Sequence, residues 1–491
     1  MRLNVRAIAL FVTSVVMSPA LAAQLIGVRT VPIAAGDQFG FLPSQNAGMA
    51  GVSLALADPL GDPFANPATG GRGTSRFFSS PTAFSVAQGN GAARSLPLGA
   101  ILVSPTWFAG AAATAQQVVA ADQWGFWGGP QPLVDRIAPE PAFGPDRSAA
   151  NLYIAGLVGR RVGNVTLGVS VSLADLSAVH GVELLYAGSL GLRQFGEAVD
   201  VRAGVAIELP GQRAFEAVVV HDRFSMTHDV TYVETIFDST VGWWEPQTRV
   251  ETNLDQTRTT GLHVNYRLPV APDWTLGLVG TGNYKDHPKI PNYDLANIPR
   301  DPGTTWAYNL GLGLAHRDGP ATFAAEAIVE PIRSHTWAEA AVPTTTTGGF
   351  VIPAGGVTVD NRFRFMNALL RMGLSRDISQ ATLQLGLQVR SIRYQLTQRD
   401  LVAGSSRRQS EDWMEWSPTW GLAIHFPEFD LRYSGRVTSG TGRPSVGWTG
   451  GGVTRLAALE SADFIVAPSG PLTLQEARVV NHQVVIVLPI H

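Results

Sequence analysis

Apolar and polar residues alternate with a period of two along most of the chain, which is the pattern of β-strands that have two different faces. In residues 198–209, Val199 and Val201 fall on one face. Asp200 and Arg202 fall on the other. The same alternation recurs at residues 262–268, 274–284, 306–315, 383–389, 420–426 and 479–490. We therefore predict an all-β fold.

The predicted strands are long. They run to about 10–13 residues, whereas strands of globular proteins average about 5–6, and a strand tilted across a bilayer needs about 9–11. Trp274, Tyr284 and Trp306 fall near strand ends, where the aromatic girdles of membrane barrels lie. The pattern favours a transmembrane β-barrel. The alternative, a large secreted β-sandwich or propeller, explains neither the strand length nor these aromatic residues.

Short turns alternate with long connections, as in outer-membrane barrels with periplasmic turns and extracellular loops. The predicted turns are at residues 163–164, 210–211, 318–320 and 427–428. The predicted loops are at about 118–149, 285–303, 334–360, 397–411 and 439–477. We expect about 14 antiparallel strands, with the weakest alternation at residues 75–117 and 213–250.

The first residues have the features of an export signal. Arg2 and Arg6 precede an apolar run over residues 7–17, and an Ala-Leu-Ala cleavage sequence follows at 20–22. We predict a signal peptide at residues 1–23. A retained membrane anchor is the less favoured alternative, because the apolar run is shorter than the roughly 20 residues that a span needs. Together with the strand pattern, the signal predicts the outer membrane of a Gram-negative-type bacterium.

Composition narrows the possible chemistry. The 491 residues include 45% hydrophobic and 15% charged residues, a net charge of -3 and no cysteine. Disulfides and thiolate metal sites are therefore excluded, and no basic excess indicates a nucleic-acid partner. The chain has no Gly-x-Ser-x-Gly, His-Glu-x-x-His or P-loop motif. We expect no catalytic residue, no metal and no cofactor.

Residues 24–74 do not alternate and precede the predicted barrel at 75–491. Their motif residues are Gly48, Gly51, Asp58, Asn66, Pro67 and Ala68. The glycines allow close backbone packing, the aspartate suits a turn, and the Asn-Pro step initiates one. We predict that this segment folds inside the barrel as an N-terminal plug.

This motif resembles the N-terminal hatch of the long-chain fatty acid transporter (FadL) family and of the related shuttle barrels of type IX secretion. The Leu268-Pro269 to Asp273-Trp274 turn also looks like periplasmic turns of that family. The resemblance implies a 14-stranded plugged barrel that takes up hydrophobic small molecules such as fatty acids. The shuttle relatives imply the alternative, a barrel that binds a partner protein. One difference is that Thr69 stands where the family usually has glycine.

An aromatic cluster in the first long loop is a candidate first contact for an apolar ligand. Trp124, Phe126 and Trp127 lie there among glycines, and exposed aromatic residues of this kind bind apolar molecules. The alternative is that they pack on the barrel rim or touch lipopolysaccharide. Besides the ligand, we expect outer-membrane lipid and lipopolysaccharide as neighbours of a monomer.

Two arginines on polar strand faces are further candidates. Arg202 and Arg390 could bind a ligand carboxylate in the lumen. Pairing with an acidic residue such as Asp200 or Glu208 is the favoured alternative, because a charge inside a low-dielectric lumen needs a partner.

Overall fold

The computed structural model describes residues 37–87, 91–119, 148–180, 191–238, 243–287, 302–340, 342–445 and 473–490. The chain begins with short helical elements: 3-10 turns at Asp37–Phe39 and Ala47–Met49, helix α1 at Asp62–Ala65 and a 3-10 helix at Pro67–Gly71. Strands make up most of the rest. They are β1 (Arg76–Ser79), β2 (Thr82–Val86), β3 (Ala92–Val103), β4 (Trp107–Val119), β5 (Ser148–Val162), β6 (Val165–Leu176), β7 (Gly191–Leu209), β8 (Arg213–Asp238), β9 (Trp243–Ala271), β10 (Trp274–His287), β11 (Gly303–Asp318), β12 (Ala321–Glu339), β13 (Thr344–Thr345), β14 (Val351–Ile352), β15 (Val357–Ile378), β16 (Ala381–Asp400), β17 (Ser405–His425), β18 (Asp430–Ser445) and β19 (Thr473–Pro489).

The strands form one closed antiparallel barrel. Sequential neighbours pair, and β19 pairs with both β1 and β2, which closes the sheet. Strands β1 and β2 occupy one position in the barrel, interrupted at Ser80-Pro81, while β13 and β14 pair only with each other. The barrel therefore has 16 strands. Closure leaves no edge strand, so backbone groups are satisfied within lipid. Among the described residues, no helix is long and apolar enough to cross a membrane.

The prediction of about 14 strands is wrong in number, since the barrel has 16. Small outward residues conceal the alternation in β4, where Ala109, Ala111 and Ala113 face outward. The predicted loop at 397–411 is also wrong. Strand β16 continues to Asp400 and β17 begins at Ser405, so only a short turn separates them. A strand that extends beyond the bilayer needs no apolar face, and its polar sequence resembles a loop.

The two faces of the strands are as predicted. In β6, Leu167, Val169 and Leu173 point outward and are about half exposed, whereas Gly168 and Ala174 point inward and are buried. Such a face of exposed aliphatic side chains around a closed barrel is what an outer-membrane barrel presents to lipid.

The two ends of the barrel differ as expected. Short turns connect β5 to β6, β7 to β8, β11 to β12 and β17 to β18, at the four predicted positions. These turns lie at the end where β1 begins and β19 ends. The long connections lie at the opposite end. By the asymmetry of outer-membrane barrels, the short turns mark the periplasmic end and the long connections mark the extracellular end.

Candidate functional site

Residues 37–74, called here the N-terminal segment, contact inward-facing residues of the barrel strands. Asp58 organises the segment locally. Its Oδ1 accepts hydrogen bonds from the backbone N–H groups of Gln45, Leu60 and Gly61, at 2.8, 3.2 and 3.1 Å. Its Oδ2 accepts the hydroxyl of Ser44 at 2.5 Å. This buried carboxylate therefore holds two parts of the segment together.

The Asn66-Pro67-Ala68 motif caps the last helical turn of the segment. The Asn66 Oδ1 accepts the Ala68 N–H at 3.1 Å, and Pro67 starts the 3-10 helix, where a missing N–H costs nothing. Arg202 of β7 fixes the residues just before this motif. Its Nη1 donates to the carbonyls of Phe64 and Ala65 at 2.8 and 2.9 Å.

One side of the segment is held closely by strands β10–β12 and β15–β17, and we call this the clamped side. At Gly48 the backbones nearly touch, since a Cβ there would lie 2.7 Å from the Cα of Gly421. Thr419 joins the same turn from both directions: its hydroxyl accepts the Ala50 N–H and donates to the Gly48 carbonyl, each at 2.9 Å. Gly51 has φ +68°, a conformation that favours glycine.

A buried ion pair completes the clamped side. Glu326 of β12 and Arg371 of β15 pair at 2.8 Å. The second oxygen of the Glu326 carboxylate accepts the N–H groups of Ser53 and Leu54, both at 3.0 Å. One carboxylate therefore ties the barrel wall to the segment. Met49 packs in the buried apolar cluster beside these bonds, which consists of Met49, Val52, Ala55, Leu56, Ala315 and Ala324.

Charged groups of the segment meet charges of the wall near the periplasmic end. Arg72 pairs with Glu216 at 2.5 Å and with Glu208 at 2.7 Å, and Glu216 also pairs with Arg267. Burial, with Asp58 and Glu216 nearby, raises the pKa of Asp62 to about 7 despite Arg267. The Asp62 carboxyl is therefore close to its titration point near neutral pH.

The opposite side of the segment leaves a cavity of about 70 Å³ against β4–β7. We call this the cavity side. Aromatic rings of the segment line it, and the facing wall is built from small residues, which leave room. The lining residues include Phe39, Phe41, Phe64, Gly110, Ala112, Tyr153, Ala155, Ser172 and Arg202. The lining is mostly apolar with a few polar groups at its edge, as in sites for small hydrophobic molecules, but the space is smaller than the roughly 300–1,000 Å³ of most such sites. It also reaches the lipid-facing side chains of Ile154 and Leu173.

A buried hydrogen-bond network borders this cavity. The Gln116 Oε1 accepts from the Tyr153 hydroxyl at 2.7 Å and from Asn151 Nδ2 at 3.1 Å. The Gln116 Nε2 donates to the carbonyl of Gln38 at 2.7 Å. The Gln38 Oε1 in turn accepts the His180 N–H at 2.9 Å. The network joins the segment, two strands and the connection after β6, so it fixes one boundary of the cavity.

The two predicted arginines both make ion pairs. Arg202 pairs with Asp200 through two hydrogen bonds of 2.7 and 2.9 Å, and both side chains are buried. Arg390 pairs with Glu330 at 2.6 Å. Only Arg202 is among the residues lining the cavity. The predicted loop residues Trp124, Phe126 and Trp127, and the predicted signal peptide, lie outside the described residues.

Several important residues were not predicted. Glu326 and Arg371 are 45 positions apart on strands whose pairing no short motif encodes. The aromatic residues Phe39, Phe41 and Phe64 were present in a segment already singled out, and their density there was a usable signal. Among the described residues, no group of three or more histidine, aspartate or glutamate side chains could hold a metal ion.

No protein-family model matches the chain, and no curated protein matches it in sequence. Solved structures that resemble it include a FadL homologue of Pseudomonas aeruginosa, at 10% identity and a TM-score of 0.46, covering 92% of this chain and 100% of that one. The toluene transporter TbuX of Ralstonia pickettii has 11% identity and a TM-score of 0.40, over 91% and 97% of the two chains. The CymD monoaromatic hydrocarbon channel has 10% identity and a TM-score of 0.40, over 92% and 98%.

Proposed function

We propose that this protein is an outer-membrane channel through which small hydrophobic molecules pass, with residues 24–74 acting as its plug. The observation that carries the proposal is the apolar cavity between the segment and the small-residue wall of β4–β6. In this proposal the segment blocks the lumen. An apolar ligand is more stable in the mostly apolar cavity than in water. Long-chain fatty acids are the ligand class that the sequence motif suggests.

Residues at the cavity would have different roles in this channel. We propose that Phe41 and Phe64 contact the ligand, since both line the cavity. Arg202 would position Phe64 through the carbonyls that it binds. Arg390 lies against Glu330, and its ligand contact stays a prediction. The same holds for the aromatic loop cluster at 124–127 as the first contact, and for the monomeric state.

The test is uptake by intact Gram-negative cells, whose lipopolysaccharide layer is the barrier that such a channel would bypass. Cells that express the protein are given a labelled apolar aromatic probe or a labelled sugar of similar size. We expect several-fold faster uptake of the apolar probe than in cells with an empty vector, and no change for the sugar. Equal uptake of the apolar probe in both cell types would contradict the proposal.

A pair of neighbouring alanines in β4 supplies the matched control. Ala112 faces the cavity and Ala113 faces lipid. Ala112→Leu fills part of the cavity, so less apolar surface of the ligand can be buried there. A loss of about 1.5 kcal/mol in the free energy of placing the ligand should reduce uptake about tenfold. Ala113→Leu should leave uptake unchanged.

A second candidate function is a barrel that binds a partner protein. Two features favour it: ion pairs occupy part of the lumen, at Glu326–Arg371 and Glu330–Arg390, and β8 and β9 form a hairpin of 26 and 29 residues, far longer than a bilayer requires. This function predicts that uptake is absent and that Ala112→Leu has no phenotype. Shortening the extracellular end of the β8–β9 hairpin would instead abolish binding of the partner protein.

A further inference from the structure

The lipid-facing surface carries an unusual charge arrangement at the extracellular edge of its apolar band. On β15 the outward residues from Met366 to Leu374 are apolar, and they are bounded by Arg364 on the extracellular side and Arg376 on the periplasmic side. These nine residues span roughly 22 Å along the barrel axis at the usual strand tilt, close to the height of an outer-membrane apolar band. Arg364 is therefore at the level of the outer-leaflet headgroups.

The neighbouring strands repeat this arrangement. The outward residues of β12 are apolar from Phe323 to Pro331 and then change to Arg333. Those of β16 are apolar from Leu383 to Val389, and Ser391 and then Arg393 follow. All three arginines are exposed. Three adjacent strands thus place a guanidinium group just above the hydrocarbon layer.

Two of these arginines are directly opposite each other. Arg333 and Arg364 are cross-strand partners in the β12–β15 ladder. Their other cross-strand neighbours are Trp306 and Gln395, which carry no charge. Like charges at such positions destabilise a sheet unless an anion lies between them. Within the described residues, no carboxylate forms an ion pair with either side chain.

The nearby acidic groups are engaged elsewhere or lie beside the pair. Asp360 bonds Arg362 and His335, both at 3.1 Å, and Asp412 is the cross-strand neighbour of Arg393. On the other side of the barrel the corresponding level is acidic, since Asp175 and Glu197 are cross-strand partners and both are exposed. Arg223 of β8 and Arg258 of β9 form another such cross-strand pair, but Asp286 of β10 lies opposite Arg258. The Arg333–Arg364 pair differs from it, because neither of its outer cross-strand neighbours is acidic.

We propose that Arg333 and Arg364, with Arg393 beside them, bind a phosphate group of lipopolysaccharide in the outer leaflet. A phosphate accepts the paired N–H groups of two guanidinium ions, which relieves their repulsion. The acyl chains of the same lipid then lie on the apolar band below, which a free phosphate in solution cannot do. This site is on the outside of the barrel and does not depend on the proposed transport function.

The experiment uses purified full-length protein, freed of lipid in detergent and mixed with bisphosphorylated or phosphate-free lipid A. Native mass spectrometry measures the lipid retained. We expect the wild-type protein to retain the bisphosphorylated lipid about tenfold better, as for a charge-assisted bidentate contact. Equal retention of the two lipids by the wild-type protein would overturn the proposal, and this arm requires no variant.

Two variants then locate the site. Arg333→Gln with Arg364→Gln should abolish the preference for the phosphorylated lipid, whereas Arg376→Gln, at the periplasmic end of β15, should keep it. The heat-dependent gel mobility of each variant confirms a folded barrel. A preference that survives the double substitution would contradict this assignment. If inorganic phosphate at equal concentration displaced the lipid completely, the site would be a phosphate site and not a lipid site.

Discussion

The two sides of the N-terminal segment are built differently. On the clamped side, residues 46–57 meet the wall through the Gly48–Gly421 approach, the Thr419 hydrogen bonds and the Glu326 carboxylate. On the cavity side, aromatic rings of the segment face glycine, alanine and serine, and about 70 Å³ of space remains between them. The same segment is therefore tightly fixed on one side and loosely packed on the other.

We infer that the clamped side and the cavity side have different roles. Protein interiors are normally packed so densely that few voids are larger than a water molecule. A cavity beside a well-anchored segment therefore lowers the stability of the fold. Under the proposed function, anchoring on the clamped side keeps the segment in place, and the cavity side receives the ligand. We expect substitutions on the clamped side to change the docking of the segment, and substitutions on the cavity side to change ligand passage.

The largest effect is expected from Glu326→Ala. The substitution leaves two backbone N–H groups without an acceptor and Arg371 without its ion-pair partner, although Arg371 keeps hydrogen bonds to Gln388 and to the Gly51 carbonyl. Since Arg371 is partly exposed, we expect a cost of about 3 kcal/mol, at the lower end for breaking a buried pair. Hydrogen exchange across residues 46–57 should become much faster. The matched control is Glu330→Ala on the same strand, which also removes an ion pair, with Arg390, but bonds no residue in the described part of the segment. Equal effects of both substitutions on the segment would show that Glu326 does not anchor it.

An intermediate effect is expected from Gly48→Ala. The added methyl group would meet the Gly421 backbone at 2.7 Å, and overpacking of this kind costs about 1–3 kcal/mol. Exchange at residues 46–57 should increase, but less than in Glu326→Ala. Ala65→Ser, which adds one atom at an exposed position of α1, should change it by less than about 0.5 kcal/mol. Tolerance of alanine at 48 would show that the clamped side is less tightly packed than described.

A separate effect is expected from pH. Burial and the charges of Asp58 and Glu216 raise the pKa of Asp62 to about 7, while Arg267 opposes the shift. The docked segment therefore binds a proton more readily than the undocked one, and docking should be strongest near pH 4 and weaken as the pH rises to about 7. The chain has no cysteine, so a dye on a single Ala65→Cys variant can report docking. Asp62→Asn should remove the pH dependence, and a dependence of the opposite sign would contradict the assignment.

Much of the barrel could be predicted from the sequence, because a strand between lipid and lumen must alternate. The face of Val199 and Val201, the turn at Gly163-Asn164 and the pairing of Asp200 with Arg202 all follow from local spacing of one or two residues. The motif at Asn66 was equally local, since its cap bonds a residue two positions away.

The remaining features depend on contacts that are distant in sequence. Glu326 meets Ser53 across 273 positions and Thr419 meets Ala50 across 369, and no spacing rule relates such residues. The cavity arises because small residues on three strands face the same part of the segment, which only the register of the strands determines. The polar ends of β16 and β17 resembled a loop, because nothing outside the bilayer requires them to alternate.

The most direct test of the central claim is the position of a bound apolar ligand. Crystals of the full-length protein can be soaked in a brominated aromatic hydrocarbon, and bromine can be located by its anomalous scattering. We predict a peak on the cavity side, within about 4 Å of Phe41 or Phe64, which is the range of apolar contact. Ala112→Leu should weaken this peak and Ala113→Leu should not. Bromine found only on the outer, lipid-facing surface would contradict the claim that the cavity side receives the ligand.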